Sequence, residues 1–380
     1  MTIIQFIPSL RTGGAETLAT NYAVQMDKLG HDVYCLVYDG DFGDSPNKEK
    51  LLASKVKIVF LSDRSHWYYN NNILISRIIR SIIRNHKIVQ SIKRIKPDVI
   101  HFHIIPFKTI WKIIHIRLHA KLFYTIHSEL KSIFREKKNL RLAQKAVAQN
   151  KIQIIALHER MKSDCLNILG SDNAICINNG IELEKYNDIQ KYREIYRKKL
   201  GIEVSDNVVG HIGSFLPVKN HEFLFRIFKC VLKERKDSRL LLIGEGRLKE
   251  ELKVLAVDLE IDKRIIWLEK RSDIPQLLSC MDVFVFPSRF EGYPLSVIEA
   301  QAAGVRCIVS DSITDEVFVT DHIKKMSINL PAESWSKEII SPSQYNKYHG
   351  IERYDLKKIV KQIIKLYGGE GYENNRQIVS

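Results

Sequence analysis

Two glutamates, Glu291 and Glu299, stand eight positions apart in the stretch 282–304, which reads DVFVFPSRFEGYPLSVIEAQAAG. An ionised carboxylate is a strong hydrogen-bond acceptor, so a pair of them suits the hydroxyl groups of two sugar rings. The same carboxylates would repel a phosphate, so a site for a nucleotide sugar needs other groups to bind the phosphates. A turn glutamate and a solvated helix glutamate form the plain structural alternative, against which the surrounding elements argue.

These surrounding elements are a strand, a glycine turn and a helix. Residues 283–286 alternate valine with phenylalanine, which is typical of a buried strand. Gly292 and Pro294 shape a turn, and Pro294 is also tolerated at the first position of the helix that follows. The helix predicted over 295–303 ends at Gly304. A helix amino end that follows such a turn directs backbone N–H groups and partial positive charge at one place, which suits a phosphate.

A lysine, Lys219, lies in a second loop of this kind, GSFLPVKN, which follows the strand predicted over 207–215. Its ammonium can neutralise a diphosphate leaving group as a glycosidic bond breaks. A lysine in a turn is more often simply solvated. Its position at the carboxyl end of a strand, where open α/β sheets bind ligands, favours a functional role.

Two histidines, His103 and His127, end predicted strands in the first half of the chain. Either can hydrogen-bond a sugar or an acceptor molecule. A lone histidine at a strand end is ordinarily structural, so this evidence is weaker than that of the glutamates. We favour His127, because Ser128 and Glu129 follow it.

The loop SLRTGGAET follows the first predicted strand. Gly13 and Gly14 let backbone amides approach a phosphate or a sugar closely, with Glu16 in the first turn of the next helix, but the G-x-G-x-x-G spacing of a dinucleotide site is incomplete. Asp39 and Asp41 form a D-x-D pair, for which a solvated turn is the better interpretation. Nothing else in the sequence resembles a metal cage, so we predict metal-independent chemistry.

Strands alternate with helices in both halves of the 380 residues, which predicts two domains with parallel sheets. The predicted domains are 1–185 and 186–355, and a final helix and tail over 356–380 pack back toward the first domain. Six scattered cysteines without a C-x-x-C pair indicate reduced core residues and a reducing compartment. We find neither a signal-peptide pattern nor an apolar run of the roughly 18 residues that span a bilayer, which predicts a cytoplasmic protein.

Positive charge is concentrated in one segment. The chain has 59 Lys and Arg against 44 Asp and Glu, a net charge of +15, and residues 64–162 alone hold 21 basic against 4 acidic side chains. Much of this charge falls on amphipathic helices predicted over 73–96, 107–121 and 133–149. Such a surface suits nucleic acid, lipid headgroups or an acidic substrate. Aromatic residues are sparse within these helices, so nucleic acid is not the expected partner.

At these motifs the chain resembles the family 4 retaining glycosyltransferases of the GT-B fold, especially those of bacterial capsule and exopolysaccharide synthesis. The resemblance covers most of the chain, and two glutamates separated by seven residues are its most specific part. It implies two Rossmann-like domains with parallel sheets that face each other across a cleft. The other shared motifs are TGGAE, the strand end at His127, NNGI, GSFLPVKN, LLLIGEG and WLEKRSDIPQLL.

The resemblance also implies a role for each candidate residue. Glu291 would contact the donor sugar and Glu299 the nucleotide ribose. The diphosphate would be held by Lys219 and by the amides around Leu295 and Ser296. The remaining assignments are Lys270 and Arg271 beside the base, Gly213, Ser214, Gly244 and Gly292 in the donor site, and Gly13, Gly14, His103 and His127 toward the transferred sugar and the acceptor.

One position departs from the family pattern. Family members usually carry an arginine directly after the glycine of the G-x-x-x-x-x-K loop, as a second cation on the diphosphate, whereas this chain has Ser214. Losing one of two cations in a dry site can cost several kcal/mol of transition-state stabilisation. Activity is then weak, or Arg11 or Arg289 compensates, or the chain is a non-catalytic member of the family.

We therefore predict a retaining hexosyltransferase that uses a nucleotide diphosphate sugar, with UDP as the favoured nucleotide and without a metal or cofactor. The expected acceptor is a lipid-linked oligosaccharide of capsule or exopolysaccharide synthesis. The basic segment 64–162 would rest on anionic lipid at the inner face of the cell membrane. Two alternatives stay open: a membrane- or nucleic-acid-binding protein with a vestigial sugar site, and another nucleotide-sugar enzyme such as an epimerase.

Overall fold

The structure, a computed structural model, describes residues 1–11, 13–41, 43–62, 74–116, 118–170, 172–342 and 350–369. The first ten residues of the basic segment, Thr12 of the glycine loop and most of the predicted tail lie outside these ranges. The chain divides into two compact units, which we call unit 1 (1–180 with 356–369) and unit 2 (181–355). The sequence-based boundary at 185 lies a few residues after this division.

Unit 1 contains a parallel sheet of seven strands in the order β3-β2-β1-β4-β5-β6-β7. The strand order reverses between β1 and β4, so a crevice opens at their carboxyl ends. The elements are β1 (Thr2–Ile7), α1 (Gly14–Lys28), β2 (Asp32–Val37), α2 (Pro46–Leu52), β3 (Lys57–Phe60), α3 (Leu74–Ile95), β4 (Val99–His103), α4 (Phe107–Ile114), β5 (Lys121–Thr125), α5 (Leu130–Ile133), α6 (Lys137–Ala148), β6 (Gln153–Ala156), α7 (Glu159–Leu169) and β7 (Ala174–Cys176).

Unit 2 contains a parallel sheet of six strands in the order β10-β9-β8-β11-β12-β13, with the reversal between β8 and β11. Its elements are α8 (Arg193–Lys199), β8 (Asn207–Ile212), α9 (His221–Glu234), β9 (Ser238–Ile243), α10 (Lys249–Asp258), β10 (Ile265–Leu268), α11 (Ile274–Ser279), β11 (Val283–Phe286), α12 (Leu295–Ala302), β12 (Arg306–Ser310), β13 (Ile323–Met326) and α13 (Ala332–Ile340).

The final helix, α14 (Leu356–Gly368), belongs to unit 1. Its Tyr367 is buried, and the tyrosine hydroxyl lies 2.7 Å from Nδ1 of His101 in β4. Among the described helices, none combines the length and the apolar character needed to cross a bilayer. The two predicted α/β halves with parallel sheets are confirmed.

Both sheets are covered on both faces, which explains their continuous apolar strands. In unit 2, Val209, Leu240, Val285 and Ile308 have no exposed surface, and they pack with the aromatic side chains of α9 and with Trp335 of α13. All six cysteines are free thiols, and five of them are buried.

Two predicted helices of unit 1 are shorter than the sequence pattern suggested. The helix predicted over 107–121 ends at Ile114, because its three buried apolar residues occupy only its first two turns. The helix predicted over 133–149 corresponds to α6, which begins only at Lys137, while Ile133 is the last residue of the short helix α5. Phe134 lies between the two helices, and the centroid of its buried ring lies 5.6 Å from that of Phe107.

Candidate active site

The two loops that carry the main candidate residues of unit 2 lie side by side. One follows β8 and the other follows β11, the two strands at which the sheet order reverses. The loops are tied together, since the Arg289 N–H donates to the carbonyl of Val218 at 2.8 Å and the Asn220 side chain donates to Pro287 O at 3.2 Å. They therefore form one wall of the crevice where open α/β sheets bind ligands.

Lys219 and Glu291 meet in this crevice. The lysine Nζ lies 2.7 Å from Oε1 of Glu291, and the two side chains are only 15% and 13% exposed. Lys219 also stands 4.8 Å above the ring of Phe286, a cation–π contact. An ammonium has three hydrogens and a carboxylate has about four lone-pair sites, so both groups keep capacity for a ligand after pairing. The sequence places these residues in separate loops, and the fold brings them into contact.

The amino end of α12 supplies backbone donors beside this pair. Pro294 precedes the helix in an extended conformation, and the first hydrogen bond runs from Val297 N–H to Pro294 O at 3.1 Å. The N–H groups of Leu295 and Ser296 therefore precede the hydrogen bonding of the helix itself. Half-buried N–H groups at a helix amino end form an anion site that suits a phosphate.

Glu299 lies one turn further along α12 and has a partner that the sequence did not reveal. Its carboxylate hydrogen-bonds Tyr186, a buried residue of the segment that leads into unit 2. Burial raises the pKa of Glu299 to about 7, although Tyr186 and nearby Lys185 oppose that change. Glu299 therefore titrates near neutral pH. A ligand hydroxyl that donates a hydrogen bond to the carboxylate would favour its ionised form.

Glu299 makes unit 2 less stable as the pH rises toward 7. The carboxyl of the unfolded chain ionises near its ordinary pKa of 4.5, whereas the folded unit retains the proton up to a pKa of about 7. Between these values the free energy of unfolding falls with pH, by at most about 3 kcal/mol because the carboxyl is partly exposed, and above them the effect is constant. Chemical denaturation between pH 4 and 8 measures this, and Glu299→Gln should lack the decrease. Equal pH slopes in both proteins would contradict it.

Glycines let the β9 loop pack against the β8 loop. A Cβ on Gly244 would stand 2.0 Å from Gly213 O, so a side chain at Gly244 would displace the backbone that leads to Lys219. A Cβ on Gly213 would in turn lie 3.3 Å from the Lys219 stem. Ser214 is half-buried, and its carbonyl accepts the Leu216 N–H at 2.7 Å. Gly213 and Gly244 thus shape the loop.

The loop after β10 carries the two residues assigned to the base. Arg271 grips Asp273 through two hydrogen bonds of 2.7 Å each, and both it and Lys270 are exposed. Their contact with a base stays a prediction, as does the contact of Gly292 with a donor.

Unit 1 places His127 at the carboxyl edge of its sheet, half-buried. His103 has no exposed surface, and its two ring nitrogens contact Gln5 and His127. We therefore correct the expectation that His103 faces the sugar: its ring can act only through its neighbours. Sequence reasoning missed Gln5, although a polar residue inside an apolar strand was a signal.

Gly13 and Gly14 form the start of α1. A Cβ on Gly13 would lie 2.1 Å from Oε2 of Glu16, so the glutamate folds back over this glycine, while a Cβ on Gly14 would have no neighbour within 4 Å. The Asp41 carboxylate pairs with Lys48 at 2.7 Å. Within the described ranges, no three His, Cys, Asp or Glu side chains cluster in a way that could hold a metal ion.

Family models match both halves of the chain. The model described as Glycosyltransferase Family 4 matches residues 12–185, and the one described as Glycosyl transferases group 1 matches 192–347.

Two known glycosyltransferases are similar in sequence to this chain, over different shares of its length. The UDP-Gal:alpha-D-GlcNAc-diphosphoundecaprenol alpha-1,3-galactosyltransferase of Escherichia coli is 30% identical over 270 residues, 68% of this chain and 68% of that protein. The putative glycosyltransferase EpsF of Bacillus subtilis is 34% identical over 163 residues, 42% of each chain.

Solved structures share the fold. The crystal structure of HepE from Anabaena in complex with UDP and glucose matches with a TM-score of 0.76, over 97% of this chain and 100% of that one, at 19% identity. At this identity the likeness concerns the fold alone.

Proposed function

This chain belongs to the family 4 glycosyltransferases and has the GT-B fold, and on that premise we propose that it transfers a hexose from a UDP-sugar to a lipid-linked saccharide. One observation carries the proposal: Lys219 and Glu291 are in contact in the crevice between β8 and β11. The loop that holds Glu291 leads directly into the amino end of α12. This arrangement offers positive charge to a diphosphate and a carboxylate to a sugar. The Escherichia coli relative, by its name, takes galactose from UDP-Gal and acts on a diphosphoundecaprenol-linked sugar.

The proposed mechanism follows from the groups that can stabilise the charge that develops during the reaction. As the glycosidic bond breaks, negative charge grows on the diphosphate, where Lys219 and the N–H groups of Leu295 and Ser296 stabilise it. These groups provide the neutralisation for which other enzymes use a metal ion. Glu291 would accept hydrogen bonds from the transferred sugar, and Glu299 from the ribose. We propose retention at the anomeric carbon, by front-side displacement within an ion pair.

Arg289 of unit 2 is the candidate to replace the cation that is missing at Ser214. Arg289 is exposed and lies two residues before Glu291, and its N–H bonds the Val218 carbonyl next to Lys219. We propose that its guanidinium contacts the diphosphate of a bound donor. Arg11, the other candidate for this role, belongs to unit 1.

A donor panel tests the proposal directly. The thermal unfolding midpoint is measured with UDP-, GDP- and ADP-sugars for the wild type and for Glu299→Ala. We expect a UDP-sugar to raise the midpoint of the wild type alone, because the variant cannot hold the ribose. The protecting donor, carrying a radiolabelled sugar, is then offered with GlcNAc-diphosphoundecaprenol, and label should enter the lipid fraction.

Failure of these assays has distinct meanings. Protection by no donor would overturn the proposal and favour a binding protein with a vestigial sugar site, the alternative that Ser214 supports. Protection without transfer, accompanied by conversion of the donor sugar, would favour an epimerase instead.

The basic segment would hold the enzyme at the anionic membrane surface in which a lipid-linked acceptor lies. Its helix α6 carries four exposed basic residues in three turns, and each can add about 1 kcal/mol of attraction to anionic lipid. Flotation with vesicles of phosphatidylglycerol should therefore depend on these residues and on salt. Two variants test this, each with four basic residues replaced by glutamine, and equal flotation of the two would contradict it. The first variant changes α6 and the second, a matched control, changes exposed lysines of unit 2: Lys137, Lys138, Arg141 and Lys145 in the first, and Lys198, Lys199, Lys233 and Lys236 in the second.

A further inference from the structure

A row of hydrogen bonds connects three polar side chains of unit 1, two of them completely buried. Oε1 of Gln5 lies 2.7 Å from Nε2 of His103, and Nδ1 of His103 lies 2.9 Å from Nε2 of His127. The Gln5 amide nitrogen faces the Met26 sulfur at 3.3 Å and the Tyr367 hydroxyl at 3.4 Å. Both of these atoms can accept a hydrogen bond, so the amide oxygen is the atom that faces His103.

The direction of each hydrogen bond follows from this orientation. The Gln5 oxygen can only accept, so the hydrogen of neutral His103 is on Nε2. Its Nδ1 then carries the lone pair, and Nε2–H of His127 must donate to it. The remaining nitrogen of His127, Nδ1, is left as an acceptor. Burial supports neutral rings, since it lowers the pKa of His127 to about 3 and that of His103 well below its ordinary value.

We propose that Gln5 and His103 are positioning residues that hold His127 in its Nε2–H tautomer, so that Nδ1 accepts a hydrogen bond from a saccharide hydroxyl at the carboxyl edge of the unit 1 sheet. Neither residue touches the ligand, because both have no exposed surface. With the opposite tautomer, His127 would present a donor, which carbonyl and hydroxyl oxygens can both accept, whereas an acceptor at Nδ1 requires a group that donates, as a hydroxyl does. The identity of the ligand as a saccharide rests on the proposed function, whereas the tautomer does not.

His127 has room for such a ligand beside it. It lines a cavity of about 160 Å³ together with Ile104, Tyr124, Ser128 and Phe134. Ile104 directly follows His103 with a φ of +58° and is 44% exposed. A β-branched residue in the left-handed region is strained, and such strain is concentrated at binding sites.

A second buried histidine offers the matched control. His101 contacts the Thr125 hydroxyl at 2.6 Å and the Tyr367 hydroxyl at 2.7 Å, and its ring lies 4.2 Å from that of His103. Thr125→Val therefore removes a buried hydrogen bond from the same cluster and leaves Gln5, His103 and His127 in place.

Nitrogen NMR of the ligand-free protein with ¹⁵N-labelled imidazoles tests the proposal without any activity assay, since protonated and unprotonated ring nitrogens resonate far apart. We expect His127 to be protonated on Nε2 in the wild type, in Thr125→Val and in Gln5→Glu, which keeps an acceptor. In Gln5→Met, whose sulfur is a much weaker acceptor than an amide oxygen, protonation should move to Nδ1. A wild-type His127 protonated on Nδ1 would overturn the proposal, and so would an unchanged tautomer in Gln5→Met.

Once transfer is measurable, a second readout follows. Gln5→Met should lower kcat/KM by about ten- to a hundredfold, the range known for the loss of a residue that orients a metal-binding histidine. Gln5→Glu should restore most of that loss. A Gln5→Met variant that changes its tautomer but keeps full activity would overturn the assigned role of Nδ1, while the proposed function would stand.

Discussion

Replacing Lys219 with methionine should lower the rate of sugar transfer by about 10²- to 10³-fold, the size expected when one group that stabilises transition-state charge is lost. Lys219 is a cation in the β8–β11 crevice whose contact with Glu291 is 2.7 Å long. Methionine retains the length and the apolar stem of lysine but not the charge. The rate is measured as label transferred to the lipid acceptor at saturating donor.

The control must separate lost catalysis from lost folding. Removing Lys219 leaves the Glu291 carboxylate buried without its partner, which itself destabilises unit 2. Adding Glu291→Gln should restore stability to Lys219→Met, because no charge is then left unpaired, but it should not restore transfer. Lys236→Met, at an exposed lysine that has no assigned role in the site, should retain activity. Full activity in folded Lys219→Met would show that the diphosphate is neutralised elsewhere.

Arg197→Met should destabilise unit 2 by about 3–5 kcal/mol, the cost expected for breaking a buried charge network. Arg197 is 3% exposed although it is an arginine. It contacts Asp282, the residue directly before β11, at 2.7 Å and so joins α8 to that strand. Asp282 also accepts a hydrogen bond from the Val208 N–H of β8 at 2.7 Å. Its guanidinium also donates to the carbonyls of Glu203, Val204, Asp206 and Cys280.

Arg193→Met is the matched comparison. Arg193 bonds the same Asp282, but its side chain is 30% exposed, so water can replace part of what it loses. We expect a loss of about 1 kcal/mol, near the value of a single partly exposed ion pair. Denaturant unfolding followed by tryptophan fluorescence reports both variants. Equal losses would mean that burial does not decide the strength of this network.

The local elements of the candidate site could be derived from the sequence. The alternation over 283–286 does form a buried strand, the helix does begin after Pro294, and Gly304 does adopt the left-handed conformation with a φ of +77°. Each of these features depends on neighbouring residues alone. Helix ends were predicted less accurately: the helix expected to begin at residue 133 begins at Lys137, and Phe134 before it packs its ring against the distant Phe107.

The sequence by itself determined which residue types are available: two acidic side chains, a lysine in a strand-end loop and histidines at strand ends, on two α/β halves. Only the tertiary structure decided that Lys219 and Glu291 touch across 72 positions, because strand order depends on packing between distant elements. It also decided the pKa of Glu299 and the burial of His103, since both depend on how much water the fold excludes. Residue identity is local, whereas contact and dielectric environment arise only when the chain is folded.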